Sequence, residues 1–281
     1  MLRFGHLFNW IILAVVFGML AGCSKEGPAD EPVYLERSVG LIYNTALNLL
    51  KIREYKAASA EFDEVERQHP YSTWATKAQL MSAYAHYSGN SYLDAISGLK
   101  RFIQLHPAHK DTPYAYYLKA LSYYEQISDV GRDQEMTQRA LKSLREVVTR
   151  FPKTEYARDS RLKMDLTLDH LAGKEMNIGR YYQGKKQYLA AINRFKLVAD
   201  NFQQTSHVPE SLLRLVESYL ALGLRHEAQK VGAVLGHNYP GSDWYSDVYA
   251  LLGGKVSTKP RKNSSFQNGS VVADEPWYQF W

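Results

Sequence analysis

Few residues of this chain have the type and spacing that catalysis or metal binding requires. His106 and His109 flank Pro107, but two imidazoles without a neighbouring thiol or carboxylate cluster make a poor metal site. Asp165 and Asp169 share a helix face at i, i+4, and without a pocket a solvated face is the better interpretation. The sequence contains neither a Gly-rich phosphate loop nor a nucleophile elbow. We therefore expect no catalytic residue, no metal and no cofactor.

The single cysteine, Cys23, offers chemistry of a different kind. It has no partner in the sequence for an intramolecular disulfide. Arg3, an apolar run from Ile11 to Leu20 and the small residues Ala21 and Gly22 precede it, which is the pattern of an export signal. The run is shorter than the roughly 18 apolar residues that span a membrane. The sequence therefore predicts an exported protein whose signal is removed.

The residues Leu20 to Cys23 resemble the bacterial lipobox. The resemblance implies that residues 1–22 are cleaved and that Cys23 carries an S-diacylglycerol and an N-acyl group. At about 0.8 kcal/mol per buried methylene, several acyl chains hold a protein at a bilayer essentially permanently. In such lipoproteins, a residue other than aspartate after the cysteine, here Ser24, implies transfer to the outer membrane. Residues 23–33 form a predicted flexible tether. A plain secretory signal with an incidental cysteine is the open alternative.

A pattern of repeated helices fills the middle of the sequence. In five segments an alanine lies twelve residues before an end point, and an apolar residue lies five residues before it. The alanines are Ala58, Ala95, Ala140, Ala190 and Ala228, the end points are Pro70, Pro107, Pro152, Phe202 and Pro240, and the apolar residues are Val65, Phe102, Val147, Leu197 and Leu235. Proline ends such a helix because it lacks the N–H that the preceding turn needs.

A further helix is predicted upstream of each of these five. The predicted spans are Leu41–Leu50, Lys77–Tyr87, Tyr114–Tyr124, Leu171–Tyr182 and Ser211–Leu222. In four units the small or apolar residue of this first helix lies twelve residues before the alanine of the second: Ala46, Ala83, Ile178 and Val216. In the third unit the corresponding Ala120 lies twenty residues before Ala140, which predicts a longer loop. The stretch after Pro152 predicts that the fourth unit begins with a long helix, and the stretch after Pro240 predicts a capping helix.

The spacing of these small residues and prolines resembles tetratricopeptide repeats. The resemblance implies an all-α fold, a right-handed superhelix of about five helix pairs with a terminal capping helix, over residues 34–253. The tail, residues 254–281, has too few periodic apolar residues to fold alone and is expected to be disordered. Its aromatic end, Trp277–Trp281, leaves open docking on a partner or in the protein's own groove.

The first helices of units two and three carry a predicted peptide groove. Two stripes at i, i+3, i+7, i+10 each place four side chains on one helix face. The predicted groove residues are Lys77, Tyr84, Tyr87, Tyr114, Tyr117 and Tyr124. Tyrosine combines an apolar ring with a polar tip and suits a groove that holds a peptide. The alternative is that most of these tyrosines pack between helices.

One position interrupts the repeat. Eight residues before the end points of the first three units lie Phe62, Leu99 and Leu144, but the fourth unit has Arg194. Burying an unpaired arginine is costly. Either a shift of one residue lets Phe195 fill the apolar position, or Arg194 faces a partner, and both can hold together.

The segments "RFPKTEYA" and "RYYQGKKQYLAAINRF", with the predicted lipid anchor, resemble the lipoprotein family of the outer-membrane β-barrel assembly machine over about residues 34–239. The resemblance implies that the N-terminal repeats bind the C-terminal β-signal of unfolded outer-membrane proteins. It also implies that the C-terminal repeats bind the barrel subunit's periplasmic domains, with Asn193 and Arg194 in that docking region, and that other lipoproteins of the complex are partners. His69 and the aromatic tail depart from the family pattern.

Three other functional classes are weighed against this resemblance: a nucleic-acid-binding protein, a different repeat lipoprotein and an enzyme. A net charge of +5 without long Lys/Arg runs argues against a nucleic-acid partner. A periplasmic repeat lipoprotein that organises cell-wall enzymes or a pilus secretin is the alternative from another class. An enzyme built on helical repeats would need an acidic or histidine-lined cleft, which the sequence does not indicate.

Overall fold

The computed structural model describes residues 36–253, which form eleven α-helices and contain no strand. The helices are α1 (Val39–Lys51), α2 (Tyr55–Gln68), α3 (Thr73–Ser88), α4 (Tyr92–Leu105), α5 (Thr112–Tyr124), α6 (Glu135–Arg150), α7 (Glu155–Gly184), α8 (Tyr188–Asn201), α9 (Val208–Ala221), α10 (Arg225–Asn238) and α11 (Asp243–Leu251). The all-α prediction is confirmed. The predicted signal peptide, the tether with Cys23, and the tail lie outside the described residues.

The helices are arranged in the predicted pairs. Each helix packs against the next, and the pairs α1/α2, α3/α4, α5/α6, α7/α8 and α9/α10 form five units. Helix α11 packs against both α9 and α10 and covers the last unit. The first helices α1, α3 and α5 each also contact the first helix of the following unit, so they line the inner side of the stack. The second helices therefore lie on the outer side.

Four of the five inner helices end in the same turn. In this turn the residue two after the helix has a positive φ: Arg53 at 65°, Asn90 at 59°, Lys186 at 60° and Gly223 at 74°. The next N–H bonds back to the helix, as in Glu54 N to Leu49 O at 2.9 Å, which completes a Schellman motif. This shared geometry reverses the chain between the two helices of a unit without a long loop.

The register of the fourth unit differs from the prediction by one residue. Ala191 and Val198 of α8 are fully buried, whereas Ala190 and Leu197 are only partly buried. The cause is that Phe202 is the C-cap of α8, the position that His69 holds after α2, so Phe202 does not occupy the proline position. The prediction of Ala190 and Leu197 as the packed residues was therefore wrong.

The same shift changes the small residue on α7 that α8 packs against. Gly179 is buried, and a Cβ there would lie 2.8 Å from Cδ1 of Phe195 and closer still to Cε1. Phe195 is fully buried and fills the apolar position that the arginine leaves open. The register-shift interpretation is thus confirmed, and the prediction of Ile178 as the matching residue was wrong.

A partly buried cluster of charges joins the inner helices of the last two units. The Arg180 guanidinium on α7 donates from Nε and Nη2 to both carboxylate oxygens of Glu210 on α9, at 2.9 and 2.7 Å. Arg214, one turn further along α9, lies 3.4 Å from Glu210 Oε1 and 2.9 Å from Glu217 Oε2. Burial alone would raise the pKa of Glu210, but the bonds and charges of Arg180 and Arg214 lower it below its ordinary value.

Replacing Glu210 with glutamine is expected to lower the free energy of unfolding by about 2 kcal/mol at neutral pH, because Arg180 loses its charged bidentate partner. A carboxylate with a lowered folded pKa stabilises the fold above its unfolded pKa of about 4.3 and loses that contribution as the pH falls. Urea unfolding at neutral and acidic pH should therefore show a shallower acid loss for Glu210→Gln than for wild type. Glu135→Gln, which changes an exposed pair with Arg139, is the control. Equal acid slopes for Glu210→Gln and wild type would contradict this assignment.

Candidate peptide groove and docking surface

The six predicted groove residues lie on the inner helices α3 and α5. Lys77 is exposed, and its Nζ lies 5.9 Å from the ring centroid of Trp74. Four of the tyrosines are partly buried: Tyr84, Tyr87, Tyr117 and Tyr124. Tyr114 is only 7% exposed and belongs to the core between α3 and α5. For Tyr114 the structure favours the packing alternative.

At the end of α3 the tyrosines reach towards α5. Tyr84 packs against two clusters of buried residues, one formed by α1, α2 and α3 and the other by α3, α4 and α5. The Tyr87 hydroxyl donates to Glu125 Oε1 at 3.4 Å, and its ring lies 5.8 Å from that of Tyr92. Burial and the neighbouring carboxylate of Glu125 raise the pKa of Tyr87, so its hydroxyl remains a protonated donor at neutral pH.

A second aromatic group joins α5 to the start of α7. The Tyr156 ring stacks on Tyr117 with centroids 5.3 Å apart and lies 5.6 Å from Tyr114. The Tyr117 hydroxyl donates to Asp159 Oδ2 at 2.5 Å. Lys163 pairs with the same carboxylate at 3.0 Å, and its Nζ lies 5.7 Å from the Tyr124 ring centroid. The inner face therefore alternates aromatic rings with fixed charges.

Sequence analysis missed three members of this face: Tyr156, Asp159 and Lys163. They lie on α7 at i, i+3 and i+7, the spacing that defined the two predicted stripes. Helix α7 begins at Glu155, where the Thr154 side chain caps it by accepting from Ala157 N at 3.2 Å. The capping threonine and the stripe spacing were the signals available. The sequence predicted a long helix after Pro152 but matched the repeat only from Leu171, so the predicted stripes did not include these three residues.

The inner face has the chemistry of a peptide-binding surface. Partly exposed tyrosines offer an apolar ring and a polar tip, which would suit the aromatic or aliphatic side chains of a bound chain. The Tyr87 and Tyr117 hydroxyls donate to the carboxylates of Glu125 and Asp159, and these polar groups would orient a bound chain through hydrogen bonds. Peptide binding by Lys77, Tyr84, Tyr87, Tyr117 and Tyr124 stays a prediction.

The predicted docking pair lies on the outer helix of the fourth unit. Asn193 is exposed, and Arg194 Nη1 bonds Glu175 Oε2 on α7 at 2.9 Å. The Arg194 side chain is 40% exposed, so part of the guanidinium faces solvent beside the ion pair. A surface pocket of about 240 Å³ adjoins both residues and is also lined by Tyr182 and Leu197. A partner that supplies a carboxylate could bind the exposed edge of the guanidinium.

The histidines noted in the sequence are used for packing and hydrogen bonds. His106 Nε2 lies 3.0 Å from Gln79 Oε1, and burial followed by the charge of His109 lowers the pKa of His106. Within residues 36–253 no group of three or more His, Cys, Asp or Glu side chains could hold a metal ion. Over the same range no helix is both long enough and apolar enough to cross a membrane.

Comparison of the sequence with known proteins assigns this chain to a family. The profile of YfiO, described as outer membrane lipoprotein, matches residues 36–235. A protein of Caulobacter vibrioides named outer membrane protein assembly factor BamD is 50% identical over 261 residues, covering 92% of this chain and 86% of the relative. A protein of the same name from Rickettsia prowazekii is 49% identical over 85% of this chain and 94% of its own length. Among solved structures, the TPR2AB domain of yeast Sti1 in complex with pHSP90 matches 76% of this chain and 84% of that chain, at 11% identity and a TM-score of 0.40.

Proposed function

Because the chain belongs to the YfiO family of outer membrane lipoproteins, we propose that it is an assembly factor for outer-membrane proteins that works as a scaffold without catalysis. It acts within the β-barrel assembly complex. Its inner face binds unfolded outer-membrane protein chains, and its C-terminal units bind the periplasmic domains of the barrel-forming subunit. Other lipoproteins of that complex are its further partners, and nucleic acid is not.

The observation that carries this proposal is that sequence identity to these relatives extends over most of the chain. Identity of about one half extends over most of the chain in two relatives that bear the name of an outer membrane protein assembly factor. The matched residues 36–235 include every residue of the candidate groove and the docking pair. The five stacked units supply a long surface that can hold two partners at separate places.

The anchor is part of the same proposal. Cys23 carries the diacylglycerol and N-acyl groups, and the protein lies at the periplasmic face of the outer membrane. Residues 23–33 connect the anchor to the first helix. Release of the protein from membranes by Cys23→Ser, measured by fractionation, tests the anchor. Retention of the Cys23→Ser protein in the membrane fraction, in cells lacking the barrel subunit, would contradict it.

The alternative function, a repeat lipoprotein for cell-wall enzymes or a pilus secretin, is not favoured by these relatives. Purification of the protein from solubilised membranes separates the two functions directly. A large outer-membrane barrel subunit should co-purify under the proposed function. Recovery of cell-wall enzymes or a secretin in its place would support the alternative.

Replacing Tyr84 and Tyr117 together with alanine is expected to weaken photocrosslinking to a peptide from the C-terminal strand of an outer-membrane protein about tenfold. Each substitution removes a ring from the inner face, and Tyr117→Ala also removes the donor to Asp159. Crosslink yield against peptide concentration is the measurement. Tyr249→Ala, which changes an exposed tyrosine on α11, is the matched control.

Two further measurements separate binding from folding. Thermal unfolding of each variant reports whether the partly buried rings also support the core. Tyr117→Phe keeps the stacked ring and loses only the hydroxyl, so it should retain the fold and lose part of the binding. Unchanged crosslinking in the folded double variant would refute the groove.

A further inference from the structure

A groove on the outer side of the last two units is lined by more apolar side chains than the equivalent groove of the first two units. It lies between α8 and α10 over α9 and has a volume of about 660 Å³. Its apolar residues include Leu215 and Tyr219 on α9 and Val231 and Val234 on α10. Val234 remains 47% exposed, so a valine at this position leaves apolar surface in contact with water.

The repeat provides an internal comparison. The groove between α2 and α4 over α3 is built in the same way and has a volume of about 850 Å³. Ser82, His86, Gly98 and Arg101 there correspond to Leu215, Tyr219, Val231 and Val234, each 133 residues later (215 − 82, 219 − 86, 231 − 98 and 234 − 101). Arg101 forms a salt bridge with Glu66 on α2. Leu215 is buried in the core of the last two units, and Tyr219 and Val231 pack against that core. The residue that packing does not explain is therefore Val234, which is exposed where the earlier groove has an arginine.

A segment of this same chain begins close to the groove. Helix α11 ends at Leu251, and the side chain of Leu252 contacts Gly232 on α10. The Arg225 guanidinium at the start of α10 donates to the Leu252 carbonyl at 3.1 Å. Residues 254–276 could extend roughly 75 Å at about 3.3 Å per residue. The groove is on the other side of α10, a helix whose diameter is about 10–12 Å, so the tail is long enough to reach it.

The chemistry of the tail complements the groove. Residues 277–281 read Trp-Tyr-Gln-Phe-Trp, which gives four aromatic side chains that seek an apolar contact. Asp274 and Glu275 precede them, and the groove lining includes one lysine, Lys196, and one aspartate, Asp200. The charges of Lys196 and Asp200 cancel, so the apolar contact of the aromatic side chains is what favours the groove.

We propose that the aromatic segment Trp277–Trp281 binds in cis to the outer groove formed by α8, α9 and α10. The tail then covers the exposed Val234 of α10, and the groove is a second binding surface, separate from the inner face. This inference does not depend on which outer-membrane partners the inner face binds. Because residues 254–276 join the segment to α11, its effective concentration at the groove is up to about millimolar, so a segment of modest affinity occupies the groove.

The test places a photocrosslinking residue in one groove or the other of the full-length protein. One variant carries benzoylphenylalanine at Val234, and the matched variant carries it at the equivalent Arg101. Mass spectrometry should find crosslinks from position 234 to residues 270–281 of the same chain, at a yield about tenfold above that from position 101. A Trp277→Ser and Trp281→Ser background should remove them.

Each remaining outcome overturns the proposal. Equal crosslinking from both positions would mean that the tail has no preference for the apolar groove. Crosslinks from position 234 to a second chain only, whether another copy or a different protein, would assign the groove to that partner. Absence of any tail crosslink at position 234, while the protein unfolds at the wild-type temperature, would exclude binding in cis.

Discussion

Gly179→Ala is expected to lower the free energy of unfolding by about 3 kcal/mol, because the fully buried ring of Phe195 occupies the space that the new Cβ requires. The helix backbone of α7 cannot retreat without breaking its contact with α8. The phenyl ring cannot retreat either, since Ala191 and Val198 are buried beside it. Urea unfolding of the purified protein, followed by circular dichroism, measures the loss.

Gly184→Ala is the matched control for this prediction. It lies at the end of the same helix, and a Cβ there would meet nothing within 4 Å. Alanine favours a helix over glycine, so Gly184→Ala should leave stability unchanged or raise it by up to about 1 kcal/mol. Adding Phe195→Leu to Gly179→Ala should recover part of the loss, because the smaller side chain makes room. Equal stabilities of Gly179→Ala and Gly184→Ala would refute the close approach of the two helices.

Arg194→Glu is expected to reduce co-purification of the barrel-forming subunit by about 10- to 100-fold. The change reverses the charge on the partly exposed docking pair and sets two carboxylates against each other at Glu175. The subunit recovered from solubilised membranes, relative to the amount of this protein, is the measurement. Arg139→Glu, on the exposed face of α6, controls for a general effect of surface charge.

An exchange of the two charges separates docking from internal pairing. Combining Arg194→Glu with Glu175→Arg restores an ion pair between α7 and α8 with its polarity reversed. If Arg194 binds the partner, co-purification stays low in the exchanged protein. Full recovery would show that Arg194 acts only by joining α7 to α8, and the docking assignment would fail.

The amino-acid sequence alone determined the order and number of the helix pairs. Small residues such as Ala58 and Ala95 recur at a fixed distance from prolines, and this pattern reports local requirements that each unit meets by itself. A helix end needs a residue that stops it, and a close helix crossing needs a small side chain. Both needs are visible in a single unit, so the five pairs and the capping helix were predicted correctly.

Only the tertiary structure decided the register of α8 and the composition of the surfaces that several helices share. Phe202 has no proline after it, so the sequence could not show that it caps α8, and the contact of Gly179 with Phe195 fixed the position. Tyr156 joins Tyr117 through contacts between different units, which local spacing does not report. The same holds for the apolar groove around Val234, whose three helices meet only after the units stack. Surfaces that several helices share depend on how the units pack, and packing is settled by the whole chain.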